Sequence, residues 1–192
     1  AGLSQDQALN RHDIIIVGGG QMGLALGYYL RRAKADFLIL DCEDGPGGAW
    51  RHGWNSLRLF SPAGYSSLPG WMMPPPHHEG HPTRDDVLAY LRAYEHRYDL
   101  PIRRPVRVET IEPGGAGLEI ATNQGKMTAR MVVSATGTWS HPYVPDIAGR
   151  ALFEGGQVHS AHYVGPEDYA GQTVLVVGGG NSGAQIIAEI AP

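Results

Sequence analysis

The sequence contains a single cysteine, Cys42, among 192 residues. One cysteine forms neither an internal disulfide nor a Cys-x-x-Cys redox pair, so a reducing cytoplasm is the expected compartment. Long apolar runs are also missing, because runs such as 14–17 and 174–177 fall far short of the ~20 residues that span a bilayer. We therefore expect a cytoplasmic protein with no membrane partner.

An excess of positive charge is absent too, since 15 Lys and Arg stand against 19 Asp and Glu. The net charge of −4 argues against a nucleic-acid partner. The group Arg103, Arg104 and Arg107 is interpreted as a solvated loop and strand edge. The polar segment 1–12 is interpreted as a disordered or tag-derived N-terminus.

Side-chain sets for acid–base, nucleophilic or metal chemistry are not apparent. Paired carboxylates, a nucleophile elbow and a catalytic triad are missing. His77, His78 and His81 lie in a loop after three prolines, where no helix or strand spacing orients them as zinc ligands. We interpret them as a solvated loop and predict no metal site.

Glycine, in contrast, is abundant, with 27 residues of 192, about twice the usual ~7%. It is concentrated in clusters at 18–23, 45–48 and 178–183, and the first and last of these lie in two similar segments. Residues 13–17 lead into a G-x-G-x-x-G pattern at 18–23, and residues 173–177 lead into another at 178–183. Each combines an apolar β-branched run, the glycines and an apolar helix-like stretch, which is typical of two nucleotide-binding units.

The first copy has the local context of a dinucleotide fold. The run 14–17 is continuously apolar, as in a parallel strand covered on both faces, and a second strand is predicted at 37–40. A helix is predicted from about Met22 to Arg32. The residues expected to face the sheet are Leu26, Tyr29, Leu30 and Ala33.

The individual residues of this copy have distinct expected roles. Gly18 permits the tight turn, Gly20 lets the backbone approach a pyrophosphate, and Gly23 lets helix and strand pack closely. Asp41 follows the second strand at the distance typical of a carboxylate that binds a ribose hydroxyl. The alternative interpretation is a glycine turn without a ligand.

The middle of the chain is interpreted as scaffold. Thr83 is expected to cap a helix that Pro101 ends. Its core face would be formed by Val87, Leu91, Tyr94 and Tyr98. Antiparallel strands are predicted at 106–111, 118–122 and 126–133, with turns at 113–115 and 123–125.

Further motifs carry a resemblance to a known family. A G-G-x-W segment ends at Trp50, residues 54–62 precede a Leu-Pro pair at 68–69, and an A-T-G stretch occupies 135–137. Phe153, Gly155, His159 and Tyr163 form F-x-G-x-x-x-H-x-x-x-Y. Over residues 13–192 the chain resembles the flavin-containing monooxygenases, the class B flavoprotein monooxygenases. Among these it looks most like bacterial proteins of arsenic-resistance operons.

The resemblance implies an α/β fold: a Rossmann-like FAD-binding domain at 13–147, with a parallel sheet and an inserted antiparallel β-meander. An inter-domain linker at 148–172 carries the Phe-to-Tyr signature. Residues 173–192 are then the first strand and helix of a second, NADPH-binding Rossmann-like domain. This short second unit leads us to expect a partial copy, inactive in isolation.

The resemblance also assigns residues to the cofactors FAD and NADPH. Near FAD it places Gly18, Gly20, Gln21, Met22, Gly23, Asp41, Cys42, Gly48, Ala49, Trp50, Leu57, Arg58, Val106, Ala135, Thr136 and Gly137. For NADPH it implies Gly178, Gly180, Asn181, Ser182 and Gly183. Phe60, His159 and Tyr163 are assigned to the environment of the reaction, and no catalytic residue is assigned.

The implied activity is monooxygenation of a small molecule, with NADPH and O2 as co-substrates. One oxygen atom passes from a flavin hydroperoxide to a soft nucleophile, since Tyr163 and Val164 differ from the residues of Baeyer–Villiger enzymes there. Phe60 occupies a position that is polar in several relatives, which puts stabilisation of the oxygenated flavin in doubt. The alternatives are an NAD(P)H-dependent flavin oxidoreductase or oxidase, and a non-catalytic flavin-binding module.

Overall fold

The computed structural model describes residues 10–115 and 117–191. Its strands are β1 (Arg11–Val17), β2 (Phe37–Leu40), β3 (Ile102–Arg103), β4 (Val108–Gly114), β5 (Gly117–Thr122) and β6 (Gly125–Ser134). Its helices are α1 (Gln21–Arg32), α2 (Arg84–Arg97) and α3 (Asn181–Ile190). Residues 1–9 of the segment interpreted as disordered lie outside the described residues. Arg11 and His12 of that segment already belong to β1, which corrects the interpretation for these two.

The strands form one sheet in the order β3-β2-β1-β6-β5-β4. The first four of these are parallel neighbours, and β6, β5 and β4 pair antiparallel. Strand β6 therefore belongs to both parts of the sheet: it pairs parallel with β1 and antiparallel with β5 of the meander. This confirms the predicted α/β class with a parallel sheet and an antiparallel insertion.

Both faces of the central strands are covered, as their continuous apolar sequence predicts. On β1, the fully buried neighbours Ile15 and Ile16 point into different clusters. Ile16 packs with α1 and α2, where Leu24 and Tyr94 are fully buried. Ile15 packs with the meander, where Ile120 is fully buried.

Helix α1 begins where the glycine pattern predicts, but its contact face differs from the expectation. The buried residues are Gly23, Leu24 and Gly27, whereas Tyr29 and Ala33 are exposed. A Cβ on Gly27 would lie 3.0 Å from Ile39 Cδ1. The two glycines thus bring the helix backbone close to the sheet and turn the face of Tyr29 outward.

Helix α2 begins at the predicted cap. Thr83 Oγ1 accepts a hydrogen bond from the Asp86 amide at 3.2 Å, and the Thr83 amide donates to Asp86 Oδ2 at 2.8 Å. This reciprocal pair satisfies two amides that the helix itself leaves unpaired. Val87 and Leu91 are buried as expected.

Two predicted strands differ in the structure. Strand β4 begins at Val108 and continues through Pro113 and Gly114, which the sequence pattern assigns to a turn. Proline is tolerated there because β4 is an edge strand.

Residues 173–177 form no strand with any part of the chain that the structure describes, and Leu175 and Val177 are exposed. A strand requires a hydrogen-bonded neighbour, and these residues have none among the described ones.

No helix within residues 10–115 and 117–191 has the length and apolar character to cross a bilayer.

Candidate functional site

The predicted cofactor segments meet at the carboxyl edge of the parallel strands. The Gly18 amide donates to the Leu40 carbonyl at 2.8 Å, and the Ala135 amide donates to the Val17 carbonyl at 2.8 Å. These hydrogen bonds connect the carboxyl ends of β1, β2 and β6. The three strands are followed by the first glycine loop, by Asp41 and by the A-T-G stretch, respectively. Gly18 has φ of +115°, and a Cβ there would collide with the Ala135 carbonyl. Crevices at this edge are where open α/β sheets bind ligands.

The two glycine clusters near the N-terminus form one surface. Gly48 has φ of +52°, and a Cβ on it would lie 2.7 Å from the Gly20 Cα. Next to this contact, Trp50 Nε1 donates to Gln21 Oε1 at 3.3 Å. The G-G-x-W segment thus lies directly against the N-terminus of α1.

Asp41 lies beside this surface and is 3% exposed. Its Oδ2 accepts from Arg104 Nε at 3.0 Å, whereas Oδ1 makes only a 3.4 Å contact with the Glu43 amide. Arg104 is in turn held by both carboxylate oxygens of Glu95 at 2.8 Å. One oxygen of Asp41 is thus fixed by an ion pair, and the other makes only this long contact within the described residues.

Arg104 is therefore not part of a solvated edge, as the sequence suggested, since its side chain is only 15% exposed. Burial lowers the pKa of Arg104, but hydrogen bonding and charge from Glu95 and Asp41 outweigh it and raise the pKa above its usual range. Gly19, a variable position of the glycine pattern, lies over this pair, because a Cβ there would come within 2.9 Å of an Arg104 nitrogen.

The second glycine segment repeats the geometry of the first. Gly178 has φ of +125°, and Gly180 caps α3 in an extended conformation as Gly20 caps α1. The last glycine of each pattern faces the carbonyl of the first, with a Cβ on Gly183 lying 2.8 Å from the Gly178 oxygen. Helix N-termini of this kind favour anions. Asn181 and Ser182 are exposed at the start of α3.

Other predicted cofactor residues adjoin the first glycine segment. The Val106 amide donates to the Asp41 carbonyl at 2.7 Å, and Thr136 is exposed after β6. Cys42 follows Asp41 and is exposed. Burial, and then the charges of Glu43 and Asp41, raise the pKa of the Cys42 thiol, which favours the protonated form.

Leu57, Arg58 and Tyr163 lie elsewhere, against α3. Both backbone groups of Arg58 bond to the Gln185 side chain at 3.1 Å, and Tyr163 donates to Glu189 at 3.1 Å. His159 Nδ1 accepts from the Ala161 amide at 3.1 Å within the linker, and Phe60 is exposed.

Sequence reasoning missed Arg104, Glu95, Gln185 and Glu189. Arg104 contacts a carboxylate 63 residues away and Glu189 contacts an indole 135 residues away. No local spacing signals such pairs, because they arise from packing between elements.

The three histidines at 77–81 are exposed as expected. His78 Nε2 bonds to Asp86 Oδ2 at 2.8 Å. Within the described ranges no group of three or more His, Cys, Asp or Glu side chains is arranged to hold a metal ion.

The parallel sheet and the paired glycine loops define a Rossmann-type α/β fold. A flavin-containing monooxygenase from Stenotrophomonas maltophilia has the same fold, with a TM-score of 0.91 and 50% identity over 95% of this chain and 55% of that one. Among curated proteins, the CzcO-like oxidoreductase of Geobacillus kaustophilus is 38% identical over 93% of this chain and 51% of its own length. The indole-3-pyruvate monooxygenase YUCCA1 of Oryza sativa subsp. japonica is 32% identical over 92% of this chain and 44% of its own.

A family model described as pyridine nucleotide-disulphide oxidoreductase matches residues 15–191. The chain belongs to this family, and its relatives include flavin monooxygenases. It spans about half the length of the curated relatives it matches.

Proposed function

We propose that this chain is the FAD-binding part of an NADPH-using flavin monooxygenase that transfers one oxygen atom to a soft nitrogen or sulfur nucleophile of a small molecule. The observation that carries the proposal is the close approach of Gly20 and Gly48 beside the buried carboxylate of Asp41. A backbone surface without side chains next to a ribose-binding acid suits a large dinucleotide. A cytoplasmic location accompanies the proposal, because the chain has a single cysteine.

The residues present fit FAD. A Cβ on Gly48 would lie 2.7 Å from the Gly20 Cα, so the two backbones meet without side chains between them. Helix α1 begins there with its amides and dipole, which suits a pyrophosphate. Asp41 Oδ1 would accept a ribose hydroxyl, while Arg104 holds the other oxygen in place. We assign the backbone of Val106 to the adenine side, and Ala49, Trp50 and Thr136 to the flavin side.

FAD, when bound, accepts a hydride from NADPH and reacts with O2, so that the protein need not supply an acid–base pair. The residues of the chain then bind and orient the cofactor, and they exclude water from the site. The segment 178–183, with the geometry of the first glycine loop, is assigned to the pyrophosphate of NADPH. The preference for a nitrogen or sulfur nucleophile rests on Tyr163 and Val164 in the linker, because Baeyer–Villiger enzymes have other residues at these two positions.

FAD titration of the purified chain tests the binding assignment. We expect saturable uptake with a perturbed flavin absorbance spectrum. Asp41→Asn should weaken binding by about 10- to 100-fold, because a charged acceptor contributes about 1.5–3 kcal/mol. Asp146→Asn, at an exposed position, is the matched control. A chain without FAD uptake, or Asp41→Asn with full affinity, contradicts the assignment.

Because the isolated chain is expected to be a partial, inactive copy, the redox assignment is tested on the FAD-loaded full-length protein, in which anaerobic NADPH should remove the oxidised flavin absorbance. Admission of O2 with an amine or thioether should then give an oxygenated product. Consumption of NADPH with stoichiometric peroxide and no such product would instead favour a flavin oxidase or reductase.

A further inference from the structure

Three donors converge on the carboxylate of Glu189, near the end of α3. Trp54 Nε1 and Ser56 Oγ donate to Oε1 at 3.0 and 2.7 Å, and Tyr163 Oη donates to Oε2 at 3.1 Å. Trp54 and Ser56 follow the G-G-x-W segment, whereas Tyr163 ends the Phe-to-Tyr signature of the linker. One side chain of α3 therefore joins two distant parts of the chain.

These contacts lie in a small apolar cluster of their own. Trp54, Tyr163 and Ile186 are its buried members. The rings of Trp54 and Tyr163 meet edge to face with centroids 5.5 Å apart. Burial, and then the hydrogen bond to Glu189, raise the pKa of Tyr163, so that its hydroxyl keeps the proton it donates.

Gln185 makes a second contact from the same helix. Its Oε1 accepts from the Arg58 amide and its Nε2 donates to the Arg58 carbonyl, both at 3.1 Å. Because Gln185 and Glu189 are four residues apart, they lie on one face of α3. Both reach the segment 54–58, so the helix is fixed there at two points one turn apart.

The position of this helix determines where the second glycine loop lies, because Gly180 is its N-cap. We propose that Glu189 is a positioning residue: through Trp54, Ser56 and Tyr163 it docks α3 on the segment 54–58 and so sets the place of the loop 178–183 relative to the first glycine loop. Gln185 supports the same contact. The linker tyrosine acts here as a hydrogen-bond donor to Glu189. The expected effect on NADPH affinity rests on the proposed function, but the docking of α3 on the segment 54–58 does not.

A distance measurement on the cofactor-free chain tests the docking. Spin labels are attached at the exposed Cys42 and at Ala188→Cys, an exposed position of α3. We expect a narrow distance distribution, which Glu189→Ala broadens or shifts and Glu189→Gln partly restores. Glu112→Ala, an exposed glutamate of β4, is the control and should leave the distribution unchanged.

Tyr163→Phe removes a single donor and keeps the ring, so it should broaden the distribution less than Glu189→Ala. Thermal unfolding of each variant shows that the main sheet remains folded. A distribution in Glu189→Ala as narrow as in the parent, or one equally broadened by Glu112→Ala, overturns the docking role.

Binding of each cofactor separates this inference from the proposed function. In Glu189→Ala we expect FAD affinity to stay within about twofold and NADPH affinity to fall about tenfold or more, the effect of roughly one lost interaction of 1.4 kcal/mol. Unchanged NADPH affinity in Glu189→Ala overturns the positioning role. These affinities are measured on the full-length protein, because the chain alone is expected to be a partial copy. Failure of the full-length protein to bind NADPH contradicts the proposed function, while the distance measurement on the chain still decides the docking.

Discussion

Gly48 stands so close to Gly20 that a Cβ on Gly48 would lie 2.7 Å from the Gly20 Cα. The two residues belong to separate glycine clusters of the sequence, and the structure makes them one surface. Gly48 has a left-handed backbone conformation, and Gly20 is the N-cap of α1, which starts at Gln21. The approach therefore requires glycine at position 48, whereas a Cβ on Gly20 would lie 3.9 Å from the Gly48 Cα, an ordinary contact distance.

Gly48→Ala should accordingly destabilise the fold and impair FAD uptake. A side chain at positive φ and the contact with Gly20 together are expected to cost about 1–3 kcal/mol, measured by urea unfolding. Gly156→Ala is the matched control, because a Cβ there meets nothing within 4 Å. If Gly48→Ala unfolds like the parent and binds FAD equally well, the close approach has no role.

Arg104→Leu should be strongly destabilising, because it leaves the buried carboxylates of Asp41 and Glu95 without their cation. Loss of one partner of a buried pair costs about 3–5 kcal/mol, and the lower end is expected because the Arg104 side chain is 15% exposed. Denaturant unfolding measures the effect. Arg92→Leu, on the exposed face of α2, should change stability little.

The double variant Arg104→Leu with Asp41→Asn tests the electrostatic cause. Removal of the uncompensated charge should recover part of the lost stability, as a double-mutant cycle can show. Strict additivity of the two changes would mean that the charge of Asp41 has no part in the effect, which would then rest on Glu95 and packing.

The cap of α2 gives a pH-dependent prediction. Burial raises the pKa of Asp86, but hydrogen bonds from Thr83 and His78 outweigh it and lower the pKa. A lowered folded-state pKa means that the contribution to stability is present above the unfolded value of about 3.9. It is lost as the pH falls through the folded-state pKa.

Asp86→Asn keeps an acceptor oxygen and removes this titration. The difference in free energy of unfolding between parent and variant should therefore shrink as the pH falls below about 4. Asp85→Asn, whose side chain is 75% exposed, should show a weaker pH dependence. A parent–variant difference for Asp86 that is constant from neutral to acid pH contradicts the assignment.

The glycine loop, the first strands and Asp41 were predictable because each depends on residues near in sequence. A strand, a tight turn and a helix leave a pattern within 14–41 that hardly depends on the rest of the chain. Arg104 and Glu189 were not predictable in the same way, because their partners lie 63 and 135 residues away. Their roles follow from packing, and a single sequence records no sign of them.

The errors within elements have similar causes. Apolar spacing alone favoured Tyr29 as a core residue, but Gly23 and Gly27 bring α1 onto the sheet with a different face. Pro113 indicated a turn, yet it is accommodated in the edge strand β4. In both cases the position of a neighbouring element outweighed the local signal.

A last prediction concerns the hydrogen bond between Tyr94 of α2 and Pro69, in the segment that precedes this helix. The Tyr94 side chain is fully buried, and its hydroxyl donates to the Pro69 carbonyl at 2.6 Å. Burial raises the pKa of Tyr94, so the donor proton is retained at any working pH. Tyr94→Phe would leave that carbonyl without its partner and should cost about 1–3 kcal/mol in urea unfolding. Tyr65→Phe, at a side chain 87% exposed, should cost close to nothing, and equal effects at the two positions would show that the bond to Pro69 does not stabilise the fold.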